Sequence, residues 1–266
     1  MNRIITSLIV FLIVCINFYG QKAIRVEYDY HFYTVRGYEV HRPMILISSN
    51  TKSKFYNPVT NRIDSMCNTT EGKAEFKKYY NGLSEKDQMG LTRWEKMYVE
   101  KDRNENEMTV YDTIAGEERY NYNEPLNGIG WEMKDSTEMI LGFDCQIAEC
   151  DYHGRHWTVW FTQEVPIPEG PWKLNGLPGL ILKAKDNSGQ YEFTAAGIEN
   201  YEREIEPVYE KNLYMRIDRK ELLQTKRLID ENLGGFISAR TGINHPKNMR
   251  TLKVDKKLDY IETDYR

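Results

Sequence analysis

The sequence predicts a mainly β fold of the α+β class, with a curved antiparallel sheet or half-open barrel and one or two packed helices. Tyrosine-rich segments alternate apolar and polar residues, which is typical of strands buried on one face. Turn-forming residues separate these segments, and no internal repeat or long low-complexity linker divides the chain. Two other segments have helical spacing, so we expect the sheet to fold around one or two helices.

The expected elements follow from local patterns along the chain. In the first segment Val26, Tyr28 and Tyr30 fall on one face of an alternating strand. Towards the C-terminus, Asp218 and Glu221 have capping-box spacing before an apolar stripe of helical period. The expected strands are 24–35, 43–48, 52–56, 94–99, 107–114, 117–122, 143–152, 156–163, 180–184 and 190–195, and the expected helices are 71–80 and 218–233.

Glycine-containing turns set the limits of several of these elements. Gly234-Gly235 is expected to end the second helix, because glycine is common just after a helix C-terminus. A turn at Gly154-Arg155 is expected to join its two flanking strands as a hairpin. Residues 57–70 are expected to form a loop.

The first twenty residues have the order of a secretory signal peptide. Arg3 precedes an apolar run from Ile4 to Ile16, and the small Gly20 precedes polar residues. The apolar run is about 15 residues long, short of the roughly 20 that a membrane-spanning helix needs. We therefore expect cleavage after Gly20 and a secreted or periplasmic protein that is not transmembrane. The alternatives are an uncleaved N-terminal anchor and a lipoprotein that is lipidated at Cys15.

This interpretation divides the chain into a signal peptide at 1–20, a single β-rich domain at 21–235, and a polar, poorly packed C-terminal tail at 236–266. Removal of the signal peptide takes away one arginine and no acid, so the net charge changes from −4 to −5. Proteins that bind nucleic acid present markedly basic surfaces. We therefore expect no nucleic-acid partner.

Three cysteines remain after removal of the signal peptide, so at most one disulfide can form within the chain. Cys145 and Cys150 lie five residues apart on one predicted strand. That spacing places their side chains on opposite faces and about 16 Å apart, beyond the reach of a disulfide. Cys67 can pair with either of them.

Cys145, Cys150, His153 and His156 together have the residue types of a zinc site. In the predicted hairpin the two histidines face each other, Cys150 points to the other face, and Cys145 lies about 26 Å away along the strand. Four such residues cannot surround one ion, so the sequence predicts no metal site and no cofactor. A two-histidine surface site for copper or zinc and a pair of solvated histidines both stay open.

The most distinctive stretch runs from Trp172 to Leu182. Within it, residues 177–180 have the composition of a type II turn, with Gly179 at the position that requires a positive φ. Prolines shortly before this stretch, including Pro168, prevent regular strand pairing and stiffen an extended crossing. We therefore expect a rigid connection that leads into a buried strand.

These residues make the chain resemble the GLPGLI family of secreted bacterial proteins, which is named after a hexapeptide. The hexapeptide is complete here as Gly176, Leu177, Pro178, Gly179, Leu180 and Ile181. Four further family features precede it in order: Gly142–Ala148, Gly154-Arg155 with Trp157 and Trp160, Pro166–Pro168, and Gly170–Trp172.

The resemblance is firm over residues 140–185 and looser before them. It implies export and a β-rich fold, and it implies no activity. It also favours Cys145 as the disulfide partner of Cys67. The expected curved sheet is similar to the half-barrel carriers that move lipoproteins across the periplasm, although fold alone does not fix function.

Arg155, Trp157, Trp160 and Trp172 are the candidate binding residues. Arginine and aromatic side chains concentrate at the energetic centres of interaction surfaces. The alternative is that these aromatic residues pack inside the sheet. The sequence contains no hydrolase elbow, zinc-protease motif or glycine-rich phosphate loop, so no catalytic residue is predicted.

Three functions are compatible with these features. The first is a non-enzymatic binding or carrier role for a lipid or other hydrophobic ligand, which predicts a mainly apolar cavity inside the sheet. The second is an accessory role in an outer-membrane complex, which predicts an exposed aromatic patch around residues 166–180. The third and least favoured is a hydrolase with a site that the sequence pattern does not reveal.

Overall fold

The computed structural model describes residues 23–84, 96–114, 118–242 and 257–265. The predicted signal peptide at 1–20 and its cleavage after Gly20 lie outside these residues. Within them, no helix is both long and apolar enough to cross a membrane.

Twelve strands of the described chain form one open, curved sheet, so the predicted mainly β fold is confirmed. Alternation along the strands gives each face its own row of side chains, as in β1, where every second residue from 24 to 30 is buried. The strands are β1 Ala23–Tyr33, β2 Glu39–Ser49, β3 Lys52–Tyr56, β4 Tyr98–Asp102, β5 Glu107–Ile114, β6 Glu118–Pro125, β7 Glu132–Ile140, β8 Phe143–Tyr152, β9 Arg155–Thr162, β10 Leu180–Asp186, β11 Tyr191–Asn200 and β12 Met215–Arg216.

The sheet consists of two antiparallel meanders that meet at its centre. Strands β1 to β6 are neighbours in sequence order, β7 to β11 are neighbours in sequence order, and β1 pairs with β11. The short β12 is parallel to β6 and forms one edge, while β7 forms the other. The sheet is therefore open and mixed, and the expectation of a wholly antiparallel sheet is wrong at β12.

The hydrophobic core lies on one face of this sheet, which we call the inner face. Tyr28 on β1, Leu46 on β2 and Phe193 on β11 are among its side chains, each almost fully buried. Trp157 from β9 belongs to the same core cluster. Because aromatic side chains bury large areas, the alternating Tyr, Phe and Trp residues of both meanders provide much of the driving force for folding.

The outer face is partly covered by the segment that precedes β12. Tyr201 packs on Ile45 and Ile47 of β2. Further along, Tyr214 packs edge to face on Tyr111 of β5, with ring centroids 5.0 Å apart. This cover stops short of the far end of the β1–β2 hairpin, whose outer-face residues are half-buried or exposed.

Four α-helices of the described chain accompany the sheet: α1 Pro58–Cys67, α2 Thr70–Asn81, α3 Arg219–Glu231 and α4 Leu233–Thr241, with a short 3₁₀ helix at Lys211–Leu213. The predictions of α2 and α3 are confirmed. The predicted loop at 57–70 is wrong, because α1 begins there. The Asn57 side chain accepts hydrogen bonds from the backbone N–H groups of Val59 and Thr60, and Pro58 occupies the first helical position.

The glycine pair near the end of α3 does not stop the helical segment, contrary to expectation. α3 ends at Glu231, but α4 begins at Leu233 and contains both Gly234 and Gly235. The break falls at Asn232, whose backbone leaves the helical region.

Residues 257–265 pack against the sheet, and we call them the C-terminal segment. Tyr265 is 3% exposed and Glu262 is 2% exposed. The backbone N–H of Thr263 donates to the carbonyl oxygen of His153 at 2.8 Å, which docks the segment on the β8–β9 turn. The prediction of a poorly packed tail is therefore wrong for these residues.

Candidate functional site

One end of the inner face is filled by residues 163–179, the crossing segment, which connects β9 to β10. Its Glu169 is 1% exposed and accepts hydrogen bonds from Lys101 at 2.8 Å, Arg103 at 2.6 Å and Ser53 at 3.1 Å. Burial lowers the pKa of Lys101, whereas the charge of Glu169 beside it acts in the opposite direction. Because Ser53 and Lys101 belong to β3 and β4, the crossing segment joins the two meanders across the inside of the sheet.

A close backbone contact explains one glycine of the crossing segment. A Cβ atom at Gly179 would lie 2.1 Å from the carbonyl oxygen of Thr162, so only glycine fits. Gly179 does not have a positive φ, and the type II turn predicted for 177–180 is therefore wrong. The positive φ occurs at Gly176 instead, at 91°.

The hexapeptide leads into the core as expected. Leu177 is 2% exposed, and Leu180 and Ile181 are fully buried. The carbonyl oxygen of Ile181 accepts a hydrogen bond from the Tyr28 hydroxyl at 2.7 Å, which ties β10 to the centre of the sheet. The prediction that this stretch leads into a buried strand is confirmed.

The other end of the inner face holds a cavity of about 930 Å³. β1 and β2 form one side, and α3 and the C-terminal segment form the opposite side. Phe32, Leu223 and Ile261 supply apolar surface from these elements, and Met97, just before β4, supplies more. A second cavity of about 440 Å³ lies between α1 and α2, and its lining includes Met66 and Phe76.

Three stacked aromatic residues, Tyr30, Phe32 and Tyr191, line the larger cavity, and the buried Phe193 stacks against Tyr30. We call these four residues the aromatic floor. Tyr30 and Phe193 are partners across the β1–β11 pair, and their ring centroids are 4.3 Å apart at an interplanar angle of 5°. Phe32 and Tyr191 are the next inner-face pair, with centroids 6.0 Å apart at 9°. The register of the two central strands thus creates a flat apolar platform.

The walls of the cavity carry charges that are already paired. Arg36 contacts Asp230 at 2.8 Å, and Lys226 contacts Asp112 at 2.7 Å. The hydroxyl of Tyr260 also donates to Asp230, at 2.5 Å. The lining is therefore mixed, and the prediction of a mainly apolar cavity is wrong, because α3 and the C-terminal segment bring these polar groups to it.

A buried charged cluster lies beside the cavity and consists of Glu124, His153, Lys173, Arg219 and Glu262. His153 Nε2 is 3.1 Å from Glu124, and Lys173 and Arg219 contact Glu262 at 2.8 and 2.6 Å. Burial raises the pKa of Glu124, but the hydrogen bond from His153 and the charge of Lys173 lower it to about 2. The cluster joins β6, the β8–β9 turn, the crossing segment, α3 and the C-terminal segment.

The charged cluster does not fit a metal ion. One ligand atom each from Glu124, His153 and Glu262 lies within 4.8 Å of the others, a spacing that a metal could use. However, Lys173 and Arg219 each contact both glutamates, so two cations already neutralise the carboxylates. A divalent ion would have to displace both of them from a buried position.

The two histidines of the β8–β9 hairpin do not face each other, contrary to expectation. The last strand pair is Tyr152 with Arg155, so His153 and Gly154 form the two-residue turn, with φ of 49° and 80°. His153 points into the charged cluster, whereas His156 pairs with Asp151 at 2.8 Å on the exposed side. The two-histidine surface site considered for this hairpin is therefore wrong.

Three of the four candidate binding residues are structural. Trp157 and Trp172 are fully buried in the core, and Arg155 is 8% exposed. Arg155 donates to Asp186 at 2.6 Å and to the carbonyl oxygen of Tyr260 at 2.6 Å, which anchors the C-terminal segment.

Trp160, the fourth candidate binding residue, is half-buried, and the Lys183 ammonium lies over its ring. The crossing segment is buried along most of residues 170–177. The predicted exposed aromatic patch around 166–180 is therefore wrong.

The three cysteines of the described chain are free, so the expected Cys67–Cys145 disulfide is not formed. Cys67 lies on α1, whereas Cys145 lies on β8. Burial raises the pKa of Cys145 to about 11 and that of Cys150 to about 12. Both thiols are therefore held in their unreactive, protonated form.

Sequence reasoning did not single out the residues of the aromatic floor as site residues. The alternation that places Tyr30 and Phe32 on the inner face was visible in the sequence. What was not visible is that β1 pairs with β11, some 160 residues later in the chain, and so brings Tyr191 beside Phe32.

The profile of the family described as N-glycanase peptide, N-terminal domain, matches residues 84–220, just over half of the chain. The chain belongs to this family. The matched range includes the crossing segment and the Lys101–Glu169 ion pair. The resemblance to the GLPGLI family falls in the same range and stays a prediction. No curated protein sequence matches the chain.

Two solved structures have a similar fold. PNGF-II in a P21 crystal form aligns with 77% of this chain and 33% of its own at 16% identity and a TM-score of 0.51. PNGF-II in a C2 crystal form aligns with 77% of this chain and 32% of its own, at 16% identity and a TM-score of 0.50. The chain thus spans about a third of the length of these proteins. A LolA superfamily protein from Nitrosomonas europaea aligns with 73% of this chain and 92% of its own at 9% identity, but its TM-score of 0.28 is too low to indicate a shared fold.

Proposed function

We propose that this chain is an exported, non-enzymatic binding or carrier domain that holds a partly apolar ligand in the cavity at the open end of the inner face. The observation that carries the proposal is the aromatic floor. Tyr30, Phe32 and Tyr191 present a flat stacked surface to a space of about 930 Å³, a volume within the range of small-molecule sites.

The paired wall charges narrow the class of ligand. An anionic ligand needs surplus positive charge, but the carboxylates of the lining outnumber its cations, which are Arg36, Arg42 and Lys226. Arg36 and Lys226 are each bound to a carboxylate within 3 Å. An anion at either position would have to replace a carboxylate that is already bound there, so it would gain little. A neutral ligand with one apolar face and some hydrogen-bonding groups leaves both pairs intact.

The test uses a neutral phenylnaphthylamine dye whose fluorescence rises in apolar surroundings. We expect Phe32→Ala to weaken dye binding about tenfold, because the loss of one aromatic contact corresponds to about 1–1.5 kcal/mol. Phe76→Ala is the matched control, since Phe76 is also half-buried but lines the cavity between α1 and α2. Equal affinity of wild type and Phe32→Ala would remove the support for this site.

The natural ligand can be sought by native mass spectrometry of the protein purified from its host. A carried lipid or other apolar molecule gives a defined mass increment on the intact chain. We expect the increment in wild type and its loss in Phe32→Ala. An increment that persists in this variant would place the ligand elsewhere.

A second candidate function is the binding of glycans or glycoproteins, and the family assignment favours it. The family is described as the N-terminal domain of an N-glycanase, and stacked aromatic rings next to polar groups are also suited to sugar faces. A glycoprotein that displaces the dye before removal of its N-glycans, but not after, would support this function over carriage of a lipid.

A further inference from the structure

We infer that His31, Glu39 and His41 form a binding site for a divalent first-row transition-metal ion such as Zn²⁺ on the outer face of the β1–β2 hairpin. Alternation along β1 sends His31 to the face opposite Tyr30 and Phe32. The site therefore lies on the opposite face from the aromatic floor, although Glu39 and His41 also border the ligand cavity. It rests on the geometry of its imidazole and carboxylate groups and not on the aromatic floor.

The register of two central strands creates the site. His31 and His41 are direct partners across the β1–β2 pair, and their imidazole rings stack with centroids 4.5 Å apart at 20°. Both Nε2 atoms face Glu39 Oε1, at 2.9 Å from His31 and 3.9 Å from His41. One ligand atom from each residue lies within 4.8 Å of the other two.

These separations fit one shared ion after small side-chain rotations. Zinc binds imidazole nitrogen and carboxylate oxygen at about 2.0–2.2 Å, so ligand atoms around a tetrahedral ion are separated by about 3.3 Å. The two observed Nε2–Oε1 distances lie on either side of that value. Imidazole ligands favour zinc, copper and nickel over calcium or magnesium, and three protein ligands leave a position for water or an external group.

The neighbouring residues orient the proposed ligands. Asp29 contacts His41 Nδ1 at 3.1 Å, which keeps the proton on that nitrogen and leaves Nε2 available. A carboxylate that holds the second nitrogen of a metal-bound histidine is the usual supporting contact in zinc sites. The hydroxyl of Tyr33 donates a long hydrogen bond to Glu39 Oε1 at 3.4 Å, which holds the carboxylate beside the two imidazoles.

The contrast with the charged cluster strengthens the inference. There, Lys173 and Arg219 neutralise the carboxylates that a metal would need. Among the ion pairs that the structure describes for Glu39, the partners are His31 and His41 and no lysine or arginine. The side chains of Glu39 and His41 are 56% and 59% exposed, so an ion can enter without unfolding the hairpin.

The experiment is a calorimetric titration of the untagged chain with Zn²⁺ in a buffer that contains a weak competing chelator. We expect one ion per chain, and at least about tenfold weaker binding in His31→Gln and in His41→Gln. His156→Gln is the matched control, because His156 is also an exposed hairpin histidine between two carboxylates, Glu149 and Asp151. Its affinity should equal that of wild type.

A second measurement separates metal binding from folding. Zn²⁺ should raise the thermal midpoint of wild type and of His156→Gln, and should leave that of the His31→Gln/His41→Gln double variant unchanged. The same Zn²⁺ affinity in wild type and the double variant would overturn the inference. So would loss of binding in His153→Gln, because that result would place the ion in the charged cluster.

Discussion

The two ends of the inner face are closed in different ways. At one end the crossing segment enters the sheet and places Glu169, 1% exposed, between Lys101 and Arg103. At the other end α3 and the C-terminal segment approach without filling the space, and Asp230 in the wall keeps 26% of its side chain exposed. The comparison indicates that one end stabilises the fold and the other is available to a ligand.

The two ends should differ most in the loss of unfolding free energy that follows when a paired carboxylate is neutralised. Glu169→Gln keeps the shape of the side chain but leaves the buried Lys101 ammonium without a counter-charge. We expect the free energy of unfolding to fall by about 3–5 kcal/mol, measured by urea unfolding. A loss below about 1 kcal/mol would mean that the filled end is not built around this ion pair.

Asp230→Asn is the matched substitution at the cavity end. Asp230 also pairs with an arginine and accepts a tyrosine hydroxyl, but it is partly exposed. Because water screens a partly exposed pair, we expect a loss of less than about 1 kcal/mol in the same assay. Equal losses in both variants would remove the distinction between the two ends.

Acid should weaken the charged cluster, which lies between the two ends. The pKa of Glu124 is lowered to about 2 from an ordinary 4.5, so the folded state binds fewer protons than the unfolded state between these pH values. The contribution to stability is complete above pH 4.5 and is lost as the pH falls through 2, with a total of about 3 kcal/mol. The measurement is urea unfolding of wild type and Glu124→Gln across this range. Their difference in unfolding free energy should shrink as the pH falls, and a constant difference would contradict this role.

Two glycines of the hexapeptide should respond differently to the same substitution. Gly179→Ala places a methyl group against the Thr162 backbone, where neither side can easily move, and we expect a loss of about 2–3 kcal/mol. A Cβ atom at Gly176 would make only an ordinary contact, 3.8 Å from the Trp131 indole nitrogen, so Gly176→Ala costs only the strain of a positive φ, about 1 kcal/mol. Thermal unfolding of both variants checks the order, and the reverse order would show that the close contact is not rigid.

The sequence predicted most of the strands because alternation is a local property, but it missed β7 and β12. Val26, Tyr28 and Tyr30 fall on the inner face as expected, and Leu177, Leu180 and Ile181 enter the core. The missed helix α1 had readable signals in the sequence. Asn57 is followed by Pro58, and Val59, Ile63 and Met66 have helical spacing.

The candidate site was much harder to predict, because it depends on contacts between distant segments. The cavity requires β1, α3 and the C-terminal segment together, and its aromatic floor requires the β1–β11 register. The His31–His41 pair could have been found from the β1–β2 hairpin alone, had its register been fixed. The predicted position of the β8–β9 turn was also one residue too late. The observed turn is His153-Gly154, and it places the His153 side chain in the charged cluster.

The central claim is that the ligand occupies the cavity above the aromatic floor. Methyl-labelled methionine NMR during titration with the neutral dye tests it directly, because Met97 lines that cavity and Met66 lines the cavity between α1 and α2. We expect the Met97 methyl signal to shift with dye concentration and the Met66 signal to stay in place. A shift at Met66 with Met97 unchanged, or no shift at Met97, would contradict it.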